Sequence, residues 1–377
     1  MRKHYKRLGK YIQPVVGRNN DLGDLPLVGL SIQKKFIPSI ANTIGTDMST
    51  YRIIEKNQFA YGPVTSRNGD KITIALFNDF DKALISQAYI PFEVKDNIEL
   101  DPEYLMMWFR RPEFDRYARF KSHGSAREIF DWDEMCNTLL PIPSITKQRE
   151  IVKEYNVIQN RIALNQQLIQ KLEETAQAIY REWFVEFETD DKVFLKEYIE
   201  TNPRLELKKG MLSNYIEMAN LSEISMCING KVKREYQGGS RFRNNDTLLA
   251  RITPCLENGK TGFVNNLEEN EVAAGSTEFI VMRAKRKVSP FWVYCLAKDQ
   301  GFRSYAISSM IGSSGRQRVH EKYLEEFLLP KVNTEQMEKF DKTAKPIFEN
   351  VRLKSNENQN LMELKDLLLS KLAAVEN

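Results

Sequence analysis

Two stretches of the chain carry apolar residues at helical spacing over about 40 residues each. In residues 145–187 apolar side chains recur at steps of four and three, and only Asn165 interrupts the series. This is a heptad pattern, which keeps one stripe of a helix facing a partner helix. Residues 334–377 repeat the pattern around a polar middle and Pro346. Because helices in globular proteins average about a dozen residues, these lengths predict two long helices rather than ordinary core helices.

The apolar stripes define a seam along which we expect the two long helices to pack against each other. Asn165 is a candidate polar position that sets the register, and Pro346 should kink the second helix. The predicted seam residues are Ile158, Ile162, Ile169, Leu172, Ile179, Ile347, Val351, Leu361, Leu364 and Leu368.

The chain also repeats itself at an offset of 188 to 190 residues. Adding 189 carries Arg127 to Arg316, and adding 188 carries Gly124 to Gly312. Seam positions of the first long helix fall on seam positions of the second. An ordered run of such matches indicates a duplication in which each half is a globular block followed by a long helix. The predicted domains are residues 1–144 and 188–333, followed by the helices 145–187 and 334–377.

Within each block, short apolar or alternating segments predict strands, and Asp-Pro or Ser-Pro steps predict helix starts. Asn68-Gly69 and Asn258-Gly259 are predicted hairpin turns. The stretch 207–225, which opens the second block, is shorter than its counterpart, so its strand is poorly defined. The predicted strands are 51–54, 71–77, 88–94, 247–252 and 278–283, and the predicted helices are 101–110 and 289–298. The fold class is therefore α+β, with two mixed α/β domains separated by two long helices.

Composition limits the function without deciding it. A chain of 377 residues with 42% hydrophobic and 28% charged residues is long enough for two or three domains of an ordinary globular kind. The net charge of +4 is small, and its basic excess lies in the two blocks rather than in the helices. A nucleic-acid surface gives such a distribution, and so does an average basic surface. We find no apolar run long enough for a membrane span and expect a cytoplasmic protein.

The search for catalytic chemistry finds no complete motif. The segment Asn258-Gly259-Lys260-Thr261 resembles the end of a phosphate-binding loop, but the required leading glycine is replaced by Pro254. The four cysteines and three histidines are scattered, so we expect no disulfide and no metal site. Catalysis by this chain is not expected.

Polar loops are the more informative feature. Two loops in each block end in turns rich in Gly, Ser, Asn, Lys and Arg: 59–71 with 121–127, and 249–260 with 311–318. Glycine lets a backbone approach a phosphate closely. Arg can form two hydrogen bonds with the edge of a guanine, and Gln can do so with the edge of an adenine. A solvated turn is the plain alternative for any single residue. The candidate DNA contacts are Tyr61, Ser66, Arg67, Asn68, Lys71, Lys121, Ser125, Arg127, Arg251, Asn258, Lys260, Ser313, Ser314, Arg316, Gln317 and Arg318.

This arrangement resembles the specificity subunits of type I restriction-modification enzymes over essentially the full chain. The segments that carry the resemblance are 247–261, 312–319, the Leu329-Pro330 step before the second long helix, and 179–184, which closes the first. The resemblance implies two target recognition domains and two antiparallel helices that pack as a coiled coil between them. It also implies a pseudo-two-fold relation between the halves, each of which would read half of a split DNA target.

The resemblance further implies a non-catalytic subunit that works through partners. It would bind double-stranded DNA and direct two methyltransferase (modification) subunits and endonuclease-translocase (restriction) subunits to it. S-adenosylmethionine, ATP and Mg²⁺ would be cofactors of those partners, with none in this chain and no membrane involved. The alternative is a helical protein-interaction scaffold, as in an orphan or inhibitory paralogue that does not read DNA.

Overall fold

The order of strands and helices is the same in both halves of the protein. The computed structural model describes residues 5–40, 44–66, 68–124, 127–186, 189–313 and 315–375. The first half contains β1 (Tyr5–Arg7), β2 (Ile12–Pro14), β3 (Leu27–Leu30), β4 (Phe36–Pro38), β5 (Arg52–Glu55), β6 (Phe59–Tyr61), β7 (Ile74–Leu76), β8 (Lys82–Ile85), β9 (Ile90–Val94), α1 (Pro102–Phe109), α2 (Pro112–Lys121), α3 (Trp132–Asn137), β10 (Leu139–Pro141) and α4 (Ile145–Phe184). The second half contains β11 (Lys192–Phe194), β12 (Ile199–Thr201), β13 (Leu212–Ile216), β14 (Val232–Glu235), β15 (Ser240–Phe242), β16 (Thr247–Ala250), β17 (Thr261–Phe263), β18 (Ala273–Gly275), β19 (Phe279–Ala284), α5 (Pro290–Lys298), α6 (Gln300–Ser308), α7 (Glu321–Glu325), β20 (Leu328–Pro330) and α8 (Thr334–Lys371). The predicted α+β class is confirmed.

Each half builds the same three sheets. In the first half these are β2-β9-β6-β7, β4-β3-β8-β5 and the pair β1-β10. Their counterparts are β12-β19-β16-β17, β14-β13-β18-β15 and β11-β20. The only parallel pairings among these described strands, β3 with β8 and β13 with β18, also correspond. Since β13 lies within 207–225 and pairs on both sides, the expectation of a poorly defined strand there is wrong.

Two expected hairpins form, but with longer connections than their Asn-Gly pairs predict. Strands β6 and β7 are antiparallel and joined by residues 62–73, and β16 and β17 are antiparallel and joined by residues 251–260. Gly69 and Gly259 have positive φ values of 62° and 79°, so each sits in a turn within the loop. Neither pair is itself a two-residue hairpin turn.

The chain divides into two compact units that do not follow its two halves. Unit 1 comprises residues 1–160 and 361–377, and unit 2 comprises residues 161–360. Each unit therefore contains one globular block together with a part of α4 and a part of α8. The boundaries 1–144, 145–187, 188–333 and 334–377 describe segments of the sequence and stay a prediction, whereas the compact units each take in parts of both long helices.

The core of unit 1 joins α1, the sheet β2-β9-β6-β7 and both helix segments. Tyr104 of α1, Ile151 of α4 and Leu369 of α8 are buried in one cluster with Leu372. The residue Gln148, in the first turn of α4, is fully buried, and its Nε2 donates to the backbone oxygens of Glu99 and Pro143, both at 2.9 Å. These bonds fix the start of α4 against the block that precedes it.

The core of unit 2 is built around Trp292 of α5. Tyr180 and Phe184 of α4 and Phe340 and Phe348 of α8 belong to the same buried cluster. Ring centroids of Phe184 and Phe340 lie 5.2 Å apart with planes at 82°, an edge-to-face contact that aromatic pairs favour. The two long helices are thus joined by aromatic packing at this end.

Both long helices form as predicted. Helix α4 is a 40-residue helix and α8 a 38-residue helix that continues through Pro346. In unit 2, Asn165 Nδ2 donates to Asn358 Oδ1 at 3.0 Å, and Gln336 Nε2 donates to the backbone oxygen of Trp183 at 2.7 Å. Because the partners descend along α8 as the residues ascend along α4, the helices run antiparallel.

Most of the predicted seam is buried or half-buried. Ile158, Ile162, Ile169 and Val351 are buried, and Leu172, Ile179 and Ile347 pack at the edge of the unit 2 core. Leu361 and Leu368 are half-buried.

Leu364 was predicted to lie in the seam, but its side chain is 46% exposed, so this part of the prediction is wrong. Leu369 and Leu372 face the core of unit 1 in its place, at 5% and 1% exposure. Among the described residues, no helix combines the length and apolarity that a membrane span requires.

Candidate nucleic-acid interface

In unit 1 the loop after β6 and the turn after α2 are hydrogen-bonded to each other. The backbone N–H of Thr65 donates to the carbonyl of Glu128 at 3.0 Å, and that of Phe130 donates to the carbonyl of Pro63 at 2.8 Å. The hydroxyls of Thr65 and Ser122 add a bond of 2.8 Å. Two loops that are about 60 residues apart in sequence therefore form one surface.

Unit 2 uses the same bonds at the matching positions. The N–H of Thr253 donates to the carbonyl of Gln317 at 3.1 Å, and that of Val319 donates to the carbonyl of Arg251 at 3.0 Å. These partners are the residues 188 or 189 positions after those of unit 1. The structure thus brings together, in each unit, the two polar loops in which the sequence placed its candidates.

A glycine in the same strained conformation begins each turn. Gly124 and Gly312 both have a φ of 135°, a backbone conformation that residues with a side chain rarely adopt. A Cβ atom at Gly124 would lie 2.1 Å from the carbonyl oxygen of Arg127, and one at Gly312 would lie 3.1 Å from that of Arg316. Glycine is required because the backbone folds back onto itself to present the arginine.

Arg127 and Arg316 are exposed, and neither side chain has a hydrogen bond or an ion pair within the described residues. Lys71 is also exposed, and the side chain of Gln317 is half-buried beside Arg316. The turns therefore offer positive charge and a free amide at their surface, which are the groups that contact phosphates and base edges.

The other candidates fall into three groups: some are exposed, some form hydrogen bonds or ion pairs within the protein, and some lie outside the described residues. Ser66 and Ser313 are exposed, whereas Arg67, Ser125 and Ser314 lie outside the described residues. The intramolecular bonds are Asn68 Nδ2 to the Val64 carbonyl at 3.2 Å, Asn258 Nδ2 to Glu223 at 3.2 Å, Lys260 Nζ to the Met218 carbonyl at 3.3 Å, and Lys121 to Glu134 at 3.5 Å. These side chains stabilise the loops from within.

Arg318 and Arg251 support the turn of unit 2 through acidic partners. The guanidinium of Arg318 bonds to both carboxylate oxygens of Glu278 at 2.7 to 3.0 Å. These bonds hold the pKa of Glu278 below its usual value. Arg251 lies 3.8 Å from Glu321, a looser ion pair. The donors of Arg318 are thus largely occupied, whereas those of Arg251 are not.

Tyr61 was predicted to contact DNA, and the structure contradicts this prediction. Its side chain has no exposed surface, and its ring packs edge-to-face with Phe92 and Phe130. Burial raises the pKa of its phenol. A residue in this position is part of the core and cannot touch a duplex.

Sequence reasoning missed Glu173, a carboxylate that is 7% exposed on α4. It accepts hydrogen bonds from Ser225 Oγ at 2.5 Å, the backbone N–H of Met226 at 2.8 Å and the hydroxyl of Tyr294 at 3.0 Å. Burial raises its pKa. The residue ties α4 to α5 and to the loop that precedes β14. Its position, four residues after Ile169 and beside the seam, is the signal that could have revealed it.

Within the described ranges, no group of three or more His, Cys, Asp or Glu side chains is placed to hold a metal ion. Both turns suit an anionic partner rather than a metal ion. The groups that they present are arginine and lysine side chains and backbone N–H groups, all of which donate hydrogen bonds.

Comparisons with known proteins point to one family. Residues 9–174 match the family model of the type I restriction modification DNA specificity domain. This match agrees with the resemblance found in the sequence and extends over residues 9–174. The chain is 27% identical over 160 residues to the type I restriction enzyme HindI specificity subunit of Haemophilus influenzae, covering 42% of this chain and 34% of that protein.

Other relatives agree over shorter stretches. The chain is 34% identical over 109 residues to the type I restriction enzyme EcoEI specificity subunit of Escherichia coli, covering 28% of this chain and 18% of that protein. The matched stretches thus span about a third or less of these relatives. The fold is similar to that of the type I restriction-modification system S subunit from M. genitalium, with a TM-score of 0.57 and 14% identity over 99% of this chain and 96% of that one.

Proposed function

We propose that this chain is the DNA-recognition subunit of a type I restriction-modification system. It would read a bipartite target, one half with each unit, and direct partner subunits to that target. The observation that carries the proposal is the matched pair of turns, each of which presents an exposed arginine, Arg127 or Arg316, that has no partner within the described residues. The family match over residues 9–174 supports it.

The turns suit a division of labour between positioning and reading. Phosphate contacts fix the register of a protein on the duplex but carry no sequence information, whereas contacts to base edges do. Lys71, a flexible cation at the edge of the loop, suits a phosphate. Arg316 and Gln317, side by side on a turn, suit guanine and adenine edges, each of which they can bond through two atoms.

We assign the chemistry of the system to other chains. Methyltransferase subunits, one for each repeat, would bring S-adenosylmethionine, and restriction subunits would bring ATP and Mg²⁺. This chain would contribute recognition and assembly alone.

Exposed leucines on both long helices support an assembly role. Leu164 and Leu168 of α4 are 59% and 43% exposed, and Leu364 and Leu367 of α8 are 46% and 49% exposed. Apolar side chains that a helix leaves exposed suit packing against helices of another subunit. We propose these faces as contacts for the methyltransferase subunits.

A salt titration tests the proposal. The full chain, alone and with a purified methyltransferase subunit, is titrated onto labelled genomic duplex fragments, and fluorescence anisotropy reports binding. We expect an affinity that falls steeply with salt, because lysines and arginines that bind phosphates displace condensed counterions. Adding the partner should restrict tight binding to a subset of fragments. Absence of salt-sensitive DNA binding with and without the partner would favour the helical scaffold instead.

A further inference from the structure

Unit 2 contains a polar cleft of about 250 Å³ next to the turn that carries Arg316. Its lining includes Arg241 from β15 and Arg251 from the loop after β16, together with Asn202, Ser240 and Thr277. No carboxylate belongs to the lining. We call this site the arginine cleft. Arg241 brings a positive charge without an ion pair among the described residues, and Arg251 has only the loose pair with Glu321 at 3.8 Å, so the cleft favours a negatively charged ligand.

An unusual backbone conformation at Gly239 places Arg241 at the cleft. Gly239, two residues earlier, has a φ of 111°, and a Cβ atom there would lie 2.1 Å from the carbonyl oxygen of Gly275. Only glycine allows β15 to approach β18 this closely. Arg241 is half-buried opposite Ala274, and its side chain has no hydrogen bond or ion pair among the described residues.

Arg251 links the arginine cleft to the turn. Its N–H donates to the carbonyl of Glu278 at 3.0 Å, and its carbonyl accepts from Val319 at 3.0 Å. These two bonds fix its backbone between β19 and the turn. Its Nε is buried and has no hydrogen-bond partner among the described residues. A buried donor left unpaired is costly, so the guanidinium of Arg251 stands to gain from a further acceptor.

The polar neighbours add donors for an oxygen-rich group. Asn202 Oδ1 accepts from the N–H of Val281 at 3.0 Å, which orients the side-chain amide and leaves Nδ2 to donate. Thr277 is exposed at the rim with its hydroxyl available. A cleft of about 250 Å³ has room for a phosphate group together with several waters.

We propose that the arginine cleft binds a phosphate of the DNA backbone beside the half-site that unit 2 reads. This inference rests on the proposed function. The planar guanidinium of arginine pairs with two phosphate oxygens at once, which a lysine ammonium cannot match in geometry. Arg251 would hold the phosphate while the adjoining turn reads the bases, so that recognition and positioning share one rigid loop.

Among the described residues of the first unit, the positions that match Arg241 and Arg251 carry no charge. Ile53 lies opposite Leu84 in β8, the position that corresponds to Arg241 opposite Ala274. Pro63 accepts the backbone bond that Arg251 accepts in unit 2. The proposed phosphate contact therefore belongs to unit 2 alone, although the rest of the interface is duplicated.

The salt dependence of DNA binding tests this inference. The full chain, with its methyltransferase partner, is titrated onto a short random-sequence duplex over a salt series. Arg241→Gln should lower the slope of log affinity against log salt by about 0.9, the amount expected for one lost phosphate contact. The matched control is Arg286→Gln, which removes one exposed charge just beyond the far end of β19 and should leave the slope unchanged. Arg241→Lys should keep the slope because it keeps the charge.

Thr277→Asp gives a second, independent variant. It places a carboxylate at the exposed rim of the cleft, so it should fold normally and still weaken binding of all sequences alike. Thermal melting of each variant checks that unit 2 is intact.

The outcomes separate this inference from the proposed function. Salt-sensitive binding by the wild type, with an unchanged slope in Arg241→Gln and an unchanged affinity in Thr277→Asp, overturns the cleft and leaves the function standing. No DNA binding by the wild type overturns both. Inorganic phosphate that raises the melting temperature of the wild type but not of Arg241→Gln, without any change in the DNA slope, assigns the cleft to a free anion and overturns the proposal.

Discussion

Replacement of Glu173 should destabilise unit 2 strongly. Its carboxylate accepts hydrogen bonds from Ser225, Met226 and Tyr294, and alanine would leave all three donors without an acceptor. Ser225 is half-buried and can turn to water, but Met226 and Tyr294 are 1% and 2% exposed. At about 1 to 3 kcal/mol for each buried donor left unpaired, we expect Glu173→Ala to lower the free energy of unfolding by about 2 to 6 kcal/mol.

Glu173→Gln should cost much less, because glutamine keeps one oxygen acceptor. That oxygen can still accept from Met226 and Ser225. The amide nitrogen would face the hydroxyl of Tyr294, which can rotate to accept instead of donate. The two variants together separate the loss of hydrogen bonds from the loss of charge.

The same residue gives stability a pH dependence of known sign. Burial raises the pKa of Glu173 in the folded state above its ordinary value of 4.5. The folded state then holds this proton more tightly than the unfolded state, so the contribution of Glu173 to stability is fully present below pH 4.5. It is lost as pH rises from there through the raised pKa, by at most about 1.4 kcal/mol per pH unit. Glu173→Gln cannot ionise and should lack this decline.

Hydrogen exchange measured by mass spectrometry on peptides from α5 reports the stability of unit 2 separately from unit 1. We expect the difference in stability between the wild type and Glu173→Gln to shrink as pH rises from 4.5. Parallel pH profiles for the two proteins would refute the assignment of the titrating group. A loss below about 1 kcal/mol for Glu173→Ala would refute the count of buried donors.

Three further predictions concern the turns and the helix pair. If Arg316 contacts a base, Arg316→Ala should lower discrimination at one base pair by about 1 to 3 kcal/mol. If Arg316 contacts a phosphate, the variant should lower the salt slope by about 0.9 on all sequences. Unchanged DNA affinity and salt slope would contradict both. Asn165→Ala should cost about 1 to 3 kcal/mol in urea unfolding, because it leaves the buried Asn358 unpaired, whereas leucine at both positions should restore stability. Gly124→Ala should weaken DNA binding and lower the melting temperature, because its Cβ would lie 2.1 Å from a carbonyl oxygen, while Gly17→Ala, with no atom within 4 Å of its Cβ, should change neither.

The large-scale organisation was predictable because it leaves a periodic trace in the sequence. Sustained heptads predicted a helix over 145–187, and α4 occupies Ile145–Phe184. The duplication was visible because turns conserve glycine where the backbone needs a positive φ, as at Gly124 and Gly312. Ser144 stands just before α4, and its Oγ accepts from the N–H of Lys147 at 3.4 Å.

Details that depend on the three-dimensional environment of a residue were not predictable. Tyr61 follows Phe59 and Ala60 in a strand whose three residues are all buried, so both faces of that strand lie in the core. An aromatic next to a polar loop gives the same sequence signal whether it points outward or inward. Leu364 and Leu369 both fit a helical period, and only the position of the unit 1 core decides which of them is buried. The arginine cleft joins two strands whose proximity depends on Gly239, which no local pattern indicates.

The discontinuity of unit 1 sets an order of events during synthesis of the chain. Its core includes Leu369 and Leu372, and the hydroxyl of Tyr5 in the first strand donates to the carbonyl of Ala373 at 2.9 Å. Residues up to 160 leave the ribosome about 200 residues before this closing segment, a delay of roughly 10 to 40 s at the usual rates of translation. Unit 2, complete by residue 360, can therefore fold before unit 1. A chain truncated near residue 360 would lose the integrity of its N-terminal domain while keeping the second one whole.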